Sequence, residues 1–251
     1  MFKRIVGYSF LALFAYVSIL IIELPAEVVW RFLQPHVPLE QASVRLSSVQ
    51  GTLWNGASLV NYEGQQGRVE WRLQPWRQLV GGSPVQVKAD TPAGQIALQL
   101  SMDWSGIVGV KAQGQVCLAT FNEWLAGNQI TLDGDILIES LVLSLDPAEG
   151  RVLDAQGALK WSGGTVAYPM GPVVQKQQMG GLIGLLSLRG EDVVLDVKDS
   201  PSQLGVAEIL LQPDGIAKVA VRRKLLDLAG APWAPNSSPQ DVVFRVQQKI
   251  L

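Results

Sequence analysis

Histidine and cysteine are almost absent: the 251-residue chain has one of each, His36 and Cys117. One cysteine makes no intrachain disulfide, and one cysteine with one histidine is too few for a zinc site. Cys117 falls in the alternating run Gln115–Leu118 and reads as a small, half-buried residue. His36 sits between Pro35 and Pro38, with no adjacent acid and nucleophile to build a catalytic triad. Charge is scarce as well. Charged residues make up 17% of the chain, against about 25% in an average soluble domain. They balance, 20 basic against 22 acidic, and the basic run Arg222–Arg223–Lys224 is too short to track a polyanion. A nucleic-acid partner is therefore not expected.

Other chemistry is missing too. Asp133, Asp135 and Glu139 do not follow the spacing of a calcium loop and read as turn residues. Gly180, Gly181 and Gly184 lack the Lys–Ser/Thr that completes a phosphate loop. No segment singles out a carboxylate pair, which is recognised by its spatial separation. The expectation is no catalytic residue, no metal and no cofactor: a binding or structural protein, not an enzyme.

What is present begins with an apolar run. Ile5–Ile22 is eighteen residues without charge or proline. As a helix it spans about 27 Å, close to the hydrocarbon thickness of a bilayer. Lys3 and Arg4 precede it, and Glu23 and Glu27 follow. That charge bias leaves the N-terminus in the cytoplasm and exports the remainder. The run exceeds the core of about 7–15 residues usual for a cleaved signal, and no small-residue cleavage site follows it. An uncleaved anchor is the expectation.

Beyond a linker the pattern changes to alternation. Ile96, Leu98, Leu100 and Met102 alternate with Ala97, Gln99, Ser101 and Asp103. Similar runs cover Arg68–Leu73, Asp192–Lys198 and Asp241–Gln247. Period-two alternation marks strands with one buried face, and close spacing with turn signals such as Pro213–Asp214–Gly215 favours antiparallel meanders. Two short helices are expected. One has Thr120–Glu123 as a capping box and Gly127 as its stop, and the other runs over Arg222–Leu228 and ends at Gly230. Gly180–Leu186 reads equally as a short helix or a buried strand.

The fold class expected is mainly β: an N-terminal transmembrane helix, then antiparallel meander sheets with one or two short helices. The division is residues 1–4 cytoplasmic tail, 5–22 membrane helix, 23–41 linker and 42–251 periplasmic β-rich domain. Trp, a small polar residue and Gly recur at Leu53–Gly56, Asp103–Gly106 and Lys160–Gly163. The echo is too irregular for a solenoid and leaves open two similar curved halves, 42–130 and 131–251. Most of the tryptophans are expected to pack in the core, with an aromatic surface for a partner or a lipid tail as the alternative.

Three segments resemble the type II secretion system protein N family. Val49–Gly56 is similar to its GTLWxG motif, carried here by Gly51, Thr52, Leu53, Trp54 and Gly56. Val69–Gly82 resembles its next segment through Trp71, Leu73, Pro75 and Trp76, with Val80 where leucine is common. Gly157–Gly164 is similar to a later motif through Gly157, Trp161, Gly163 and Gly164. The resemblance implies a structural role for these residues. It implies an accessory, single-pass inner-membrane component that supports export of folded periplasmic proteins across the outer membrane. Its implied partners are other type II secretion inner-membrane subunits and the outer-membrane secretin. In architecture the chain also looks distantly like inner-membrane β-groove proteins associated with lipid transport, which makes lipid binding or transfer the alternative expectation.

Overall fold

The computed structural model describes residues 14–34, 44–62, 65–80, 82–170, 173–231 and 236–249. The chain forms two compact units, Met1–Thr91 and Pro92–Leu251. The expected midpoint, between residues 130 and 131, falls inside the second unit.

In the first unit residues 14–22 are helical. Residues 5–13 of the expected span lie outside the described residues, as does His36. Among the described residues no helix is long and apolar enough to cross a membrane. The expected linker corrects in its first half to a helix, α1 (Ala26–Leu33). Pro25 supplies an extended residue just before it. Ala26, Val29 and Trp30 recur at helical spacing and turn to the sheet, while Glu27 and Arg31 pair at 2.6 Å on the solvent side. Four strands follow in sequence order as an antiparallel meander: β1 (Val44–Gly51), β2 (Asn55–Tyr62), β3 (Gln65–Leu73) and β4 (Val85–Thr91). Between β3 and β4, Pro75–Val80 forms a 3₁₀ turn.

The second unit holds a sheet of nine strands. In spatial order these are β5 (Gly94–Met102), β6 (Val108–Cys117), β8 (Asp135–Asp146), β9 (Arg151–Trp161), β12 (Leu182–Arg189), β13 (Asp192–Asp199), β14 (Gly205–Leu211), β15 (Ile216–Arg222) and β16 (Val242–Lys249). Every neighbouring pair is antiparallel. The ambiguous glycine-rich stretch is therefore strand β12. Three further strands make a small separate sheet in the order β11 (Val173–Met179), β10 (Gly164–Met170), β7 (Thr131–Leu132).

Two helices complete this unit, α2 (Asn122–Leu125) and α3 (Arg223–Leu228). The expected capping box does not form. Thr120 lies inside the 3₁₀ turn Leu118–Phe121, so its hydroxyl donates back to the Cys117 carbonyl at 3.0 Å and not forward. Asn122 instead accepts from the Leu132 amide at 2.7 Å, tying α2 to β7.

Candidate functional site

The first two family segments fold together around the end of the N-terminal helical stretch. Gly51 ends β1 with φ +88°, and a Cβ there would meet the Asn55 carbonyl oxygen at 2.5 Å. Only glycine suits that corner. The tight turn it permits brings Trp54 back over the helix end. Trp54 Nε1 donates to the Ile21 carbonyl at 2.7 Å, and the Leu53 amide donates to the Leu24 carbonyl at 2.8 Å. Carbonyls at a helix C-terminus are short of intrahelical partners, and here Trp54 adds a donor to Ile21, which otherwise has the Leu24 amide at 3.4 Å. Thr52 makes an isolated bridge to Pro25.

Trp71 on β3 closes the other side. Its Nε1 donates to the Leu53 carbonyl at 3.1 Å, and its ring lies so close to Gly56 that a Cβ there would stand 2.3 Å from Cζ2. Leu73 donates its amide to the Trp54 carbonyl at 2.7 Å. Trp71, Trp30 and Leu53 also line a small apolar cavity of about 190 Å³ under α1. Pro75 opens the 3₁₀ turn that exposes Trp76 (61%) and Leu79 (76%).

The third segment builds the corner between the two sheets of the second unit. Trp161 ends β9, and its Nε1 donates to the Asp133 carbonyl at 2.9 Å. Gly163 follows with φ +85°, and Gly164 starts β10 against the Asp133 backbone. Ser162 accepts from the Asp135 amide at 3.0 Å. Gly157 lies against the Ser140 carbonyl, which a Cβ would approach to 2.9 Å. The acids once weighed for calcium are engaged in other contacts: Asp135 accepts from Gln115 at 3.1 Å and Glu139 pairs with Lys160 at 2.6 Å. The Asp103–Gly106 echo is a different object, a turn between β5 and β6. There the Ser105 hydroxyl bonds the Asp103 carboxylate at 2.6 Å and holds its pKa below the ordinary value, while Trp104 is 90% exposed.

That corner roofs a cavity of about 530 Å³. Its floor is the nine-stranded sheet, through Ile136, Leu159, Trp161, Gly184 and Val197. Its roof is the small sheet, through Val166 and Tyr168, with Leu225 and Leu226 of α3. Two polar side-chain groups reach its walls, and both are satisfied within the protein. Trp161 bonds the Asp133 carbonyl, and Tyr168 Oη donates to the Ala229 carbonyl at 2.8 Å, joining the small sheet to the end of α3. The other end of α3 is fixed by Lys224, 3.3 Å from Asp199 at the close of β13. Asp199 is 4% exposed and also accepts from the Ser202 hydroxyl. That bond first, and the Lys224 ammonium second, hold its carboxyl below the ordinary pKa.

The floor continues far beyond the roof. Directly paired residues share a face of a sheet. One such row crosses all nine strands from Leu98 through Ala112, Leu141, Gly157 and Leu186, then Leu195, Ile209 and Val219, to Val246. Every member is apolar or glycine. The adjacent row, from Ile96 through Ile138, Leu159 and Val197 to Phe244, is apolar throughout as well. At its far edge Phe244 and Val246 remain 49% and 58% exposed. The opposite face is mixed: Lys111, Gln156 and Lys218 occupy it, and Arg189 bridges Asp196 and Glu208. Alternation in β5, β13 and β16 signals an apolar half, but not that nine halves align. The alignment depends on a bulge of β8 at Glu139–Ser140, which shifts register against both β6 and β9 without a composition mark.

No curated protein and no solved structure matches this chain. A profile of the family described as type II secretion system (T2SS), protein N, matches residues 42–234. That span takes in all three motif segments and every strand but β16, so the chain belongs to the type II secretion system protein N family and has its role in type II secretion.

Proposed function

We propose that this protein is an accessory inner-membrane subunit of the type II secretion system, anchored once by residues 5–22 and working in the periplasm through protein contacts. The observation that carries this reading is the clamp of Trp54 and Leu53 on the end of the N-terminal helical stretch. A family motif spent on seating that segment makes sense where the segment is an anchor and the first unit's sheet must keep a set relation to it. The charge-free run and its flanking residues, Lys3 and Arg4 before and Glu23 and Glu27 after, support export of everything that follows.

In this reading the chain contributes contacts and no reaction. Trp76 and Leu79, held outward by the Pro75–Val80 turn, suit an apolar protein contact, because large exposed aromatics are favoured anchors of interfaces. The partners are other inner-membrane subunits and, across the periplasm, the outer-membrane secretin. The test is photocrosslinking in native membranes from probes at positions 76 and 79, with the neighbours identified by mass spectrometry. Recovery of secretion subunits is the expected result. Recovery of none of them counts against the reading.

A further inference from the structure

The roofed cavity of the second unit has a size, a lining and a setting that select one kind of occupant. An apolar protein cavity of about 150 Å³ stays dry and accepts benzene. This one is about 530 Å³, within the range of sites that bury an entire ligand. Water finds little to bond inside it, since the lining is apolar apart from Trp161 and Tyr168, whose N–H and O–H are both committed to backbone carbonyls. The same fact excludes a peptide strand, whose amides and carbonyls would enter without hydrogen bonds. No charged residue lines the cavity, and Lys224 next to it is already matched by Asp199. Either a fatty acid or a diacyl lipid can leave its polar end in water, but a fatty acid has one chain and covers the cavity alone. A diacyl lipid has a second chain for the apolar floor outside the roof, where Phe244 and Val246 are exposed. The apolar rows extend the floor on either side of the roof, so a chain longer than the cavity still lies on apolar surface.

We infer that this cavity binds one acyl chain of a membrane phospholipid. The inference stands apart from the partners proposed above, and it concerns the second unit alone.

The test uses the full chain in living cells. Cells are fed a clickable fatty acid with a mid-chain diazirine, which they esterify into phospholipid. They are then irradiated, and adducts are mapped by mass. Adducts are expected on peptides carrying Val166, Met179 and Leu226, with the mass of a whole phospholipid. Gly184→Leu projects new bulk toward Leu195, where the absent Cβ would already stand 3.1 Å from Cδ1. Val197→Phe fills the neighbouring position. Each substitution is expected to cut the cavity adducts by about tenfold, since a close-packed cavity has no room for the chain. Adducts confined to residues 5–22, adducts equally frequent at Leu185 on the opposite face, or adducts of fatty-acid mass alone would each overturn the proposal. Circular dichroism and thermal melting identify folded variants, and the wild-type map decides the matter even if both variants misfold.

Discussion

Trp54 Nε1 lies 2.7 Å from the carbonyl oxygen of Ile21, thirty-three residues earlier in the chain. The bond joins a motif on the sheet to the end of the N-terminal helical stretch. Trp54→Phe keeps an aromatic ring but removes the donor together with part of the indole's volume. We expect the lost hydrogen bond by itself to lower stability by about 0.5–1.5 kcal/mol, seen as a fall in melting temperature. Amide exchange should also quicken at Leu53, whose own bond to Leu24 shares the clamp. An unchanged melt with unchanged exchange would mean that the bond contributes nothing.

Gly163 has φ +85°, and a Cβ there would stand 2.7 Å from the Met179 carbonyl oxygen. Gly163→Ala should therefore cost about 1–3 kcal/mol from backbone strain plus displacement of β11. Thermal melting gives the loss, and exchange at the amides of β10 and β11 should rise more than in the nine-stranded sheet.

The Asp199 carboxylate, held by the Ser202 hydroxyl first and by Lys224 second, predicts an acid-sensitive roof. Because the folded carboxyl titrates below its ordinary value of 3.8, its contribution is complete above that value and disappears as pH falls through the lowered one. Asp199→Asn removes the charge at every pH. The melting difference between wild type and variant should be clear at pH 7, about 1–3 kcal/mol, and shrink toward zero below about pH 4. A difference that persists in acid would deny the carboxylate charge this role.

Tyr168→Phe separates roof stability from cavity polarity. It deletes the bond to Ala229 but keeps the ring in the wall. We expect a loss of about 0.5–1.5 kcal/mol and faster exchange at the end of α3. Lipid adducts should persist, since the cavity stays apolar.

Much of the fold was legible because it rests on local pattern. Ile96–Met102 alternates in sequence, and β5 alternates in burial as far as Leu100, while Met102 is exposed. Arg223–Leu228 is the helix expected near the C-terminal end. Failures came where neighbours outside the segment decided. Pro35 and Pro38 mark a linker, but Ala26–Leu33 lies before them and is helical because its apolar face packs against β1. Thr120–Glu123 carried the letters of a capping box, but Leu118–Phe121 had already entered a 3₁₀ turn. Tryptophan alone did not reveal its setting either. Trp71 and Trp161 hold corners, while Trp76 and Trp104 face solvent. The cavity needed tertiary information throughout, because its roof and floor come from segments joined only by register and by the Trp161 corner.

The account depends most on which side of the inner membrane the β units occupy, because a subunit serving folded periplasmic cargo must reach the periplasm. Trp104 is 90% exposed on the turn between β5 and β6, and Cys117 is the only native thiol. In a Cys117→Ser background, Trp104→Cys places a single accessible thiol on the second unit. A membrane-impermeant maleimide added to cells with a permeabilised outer membrane and an intact inner membrane should label it as fully as in lysed cells. Labelling that appears only after lysis would contradict the account.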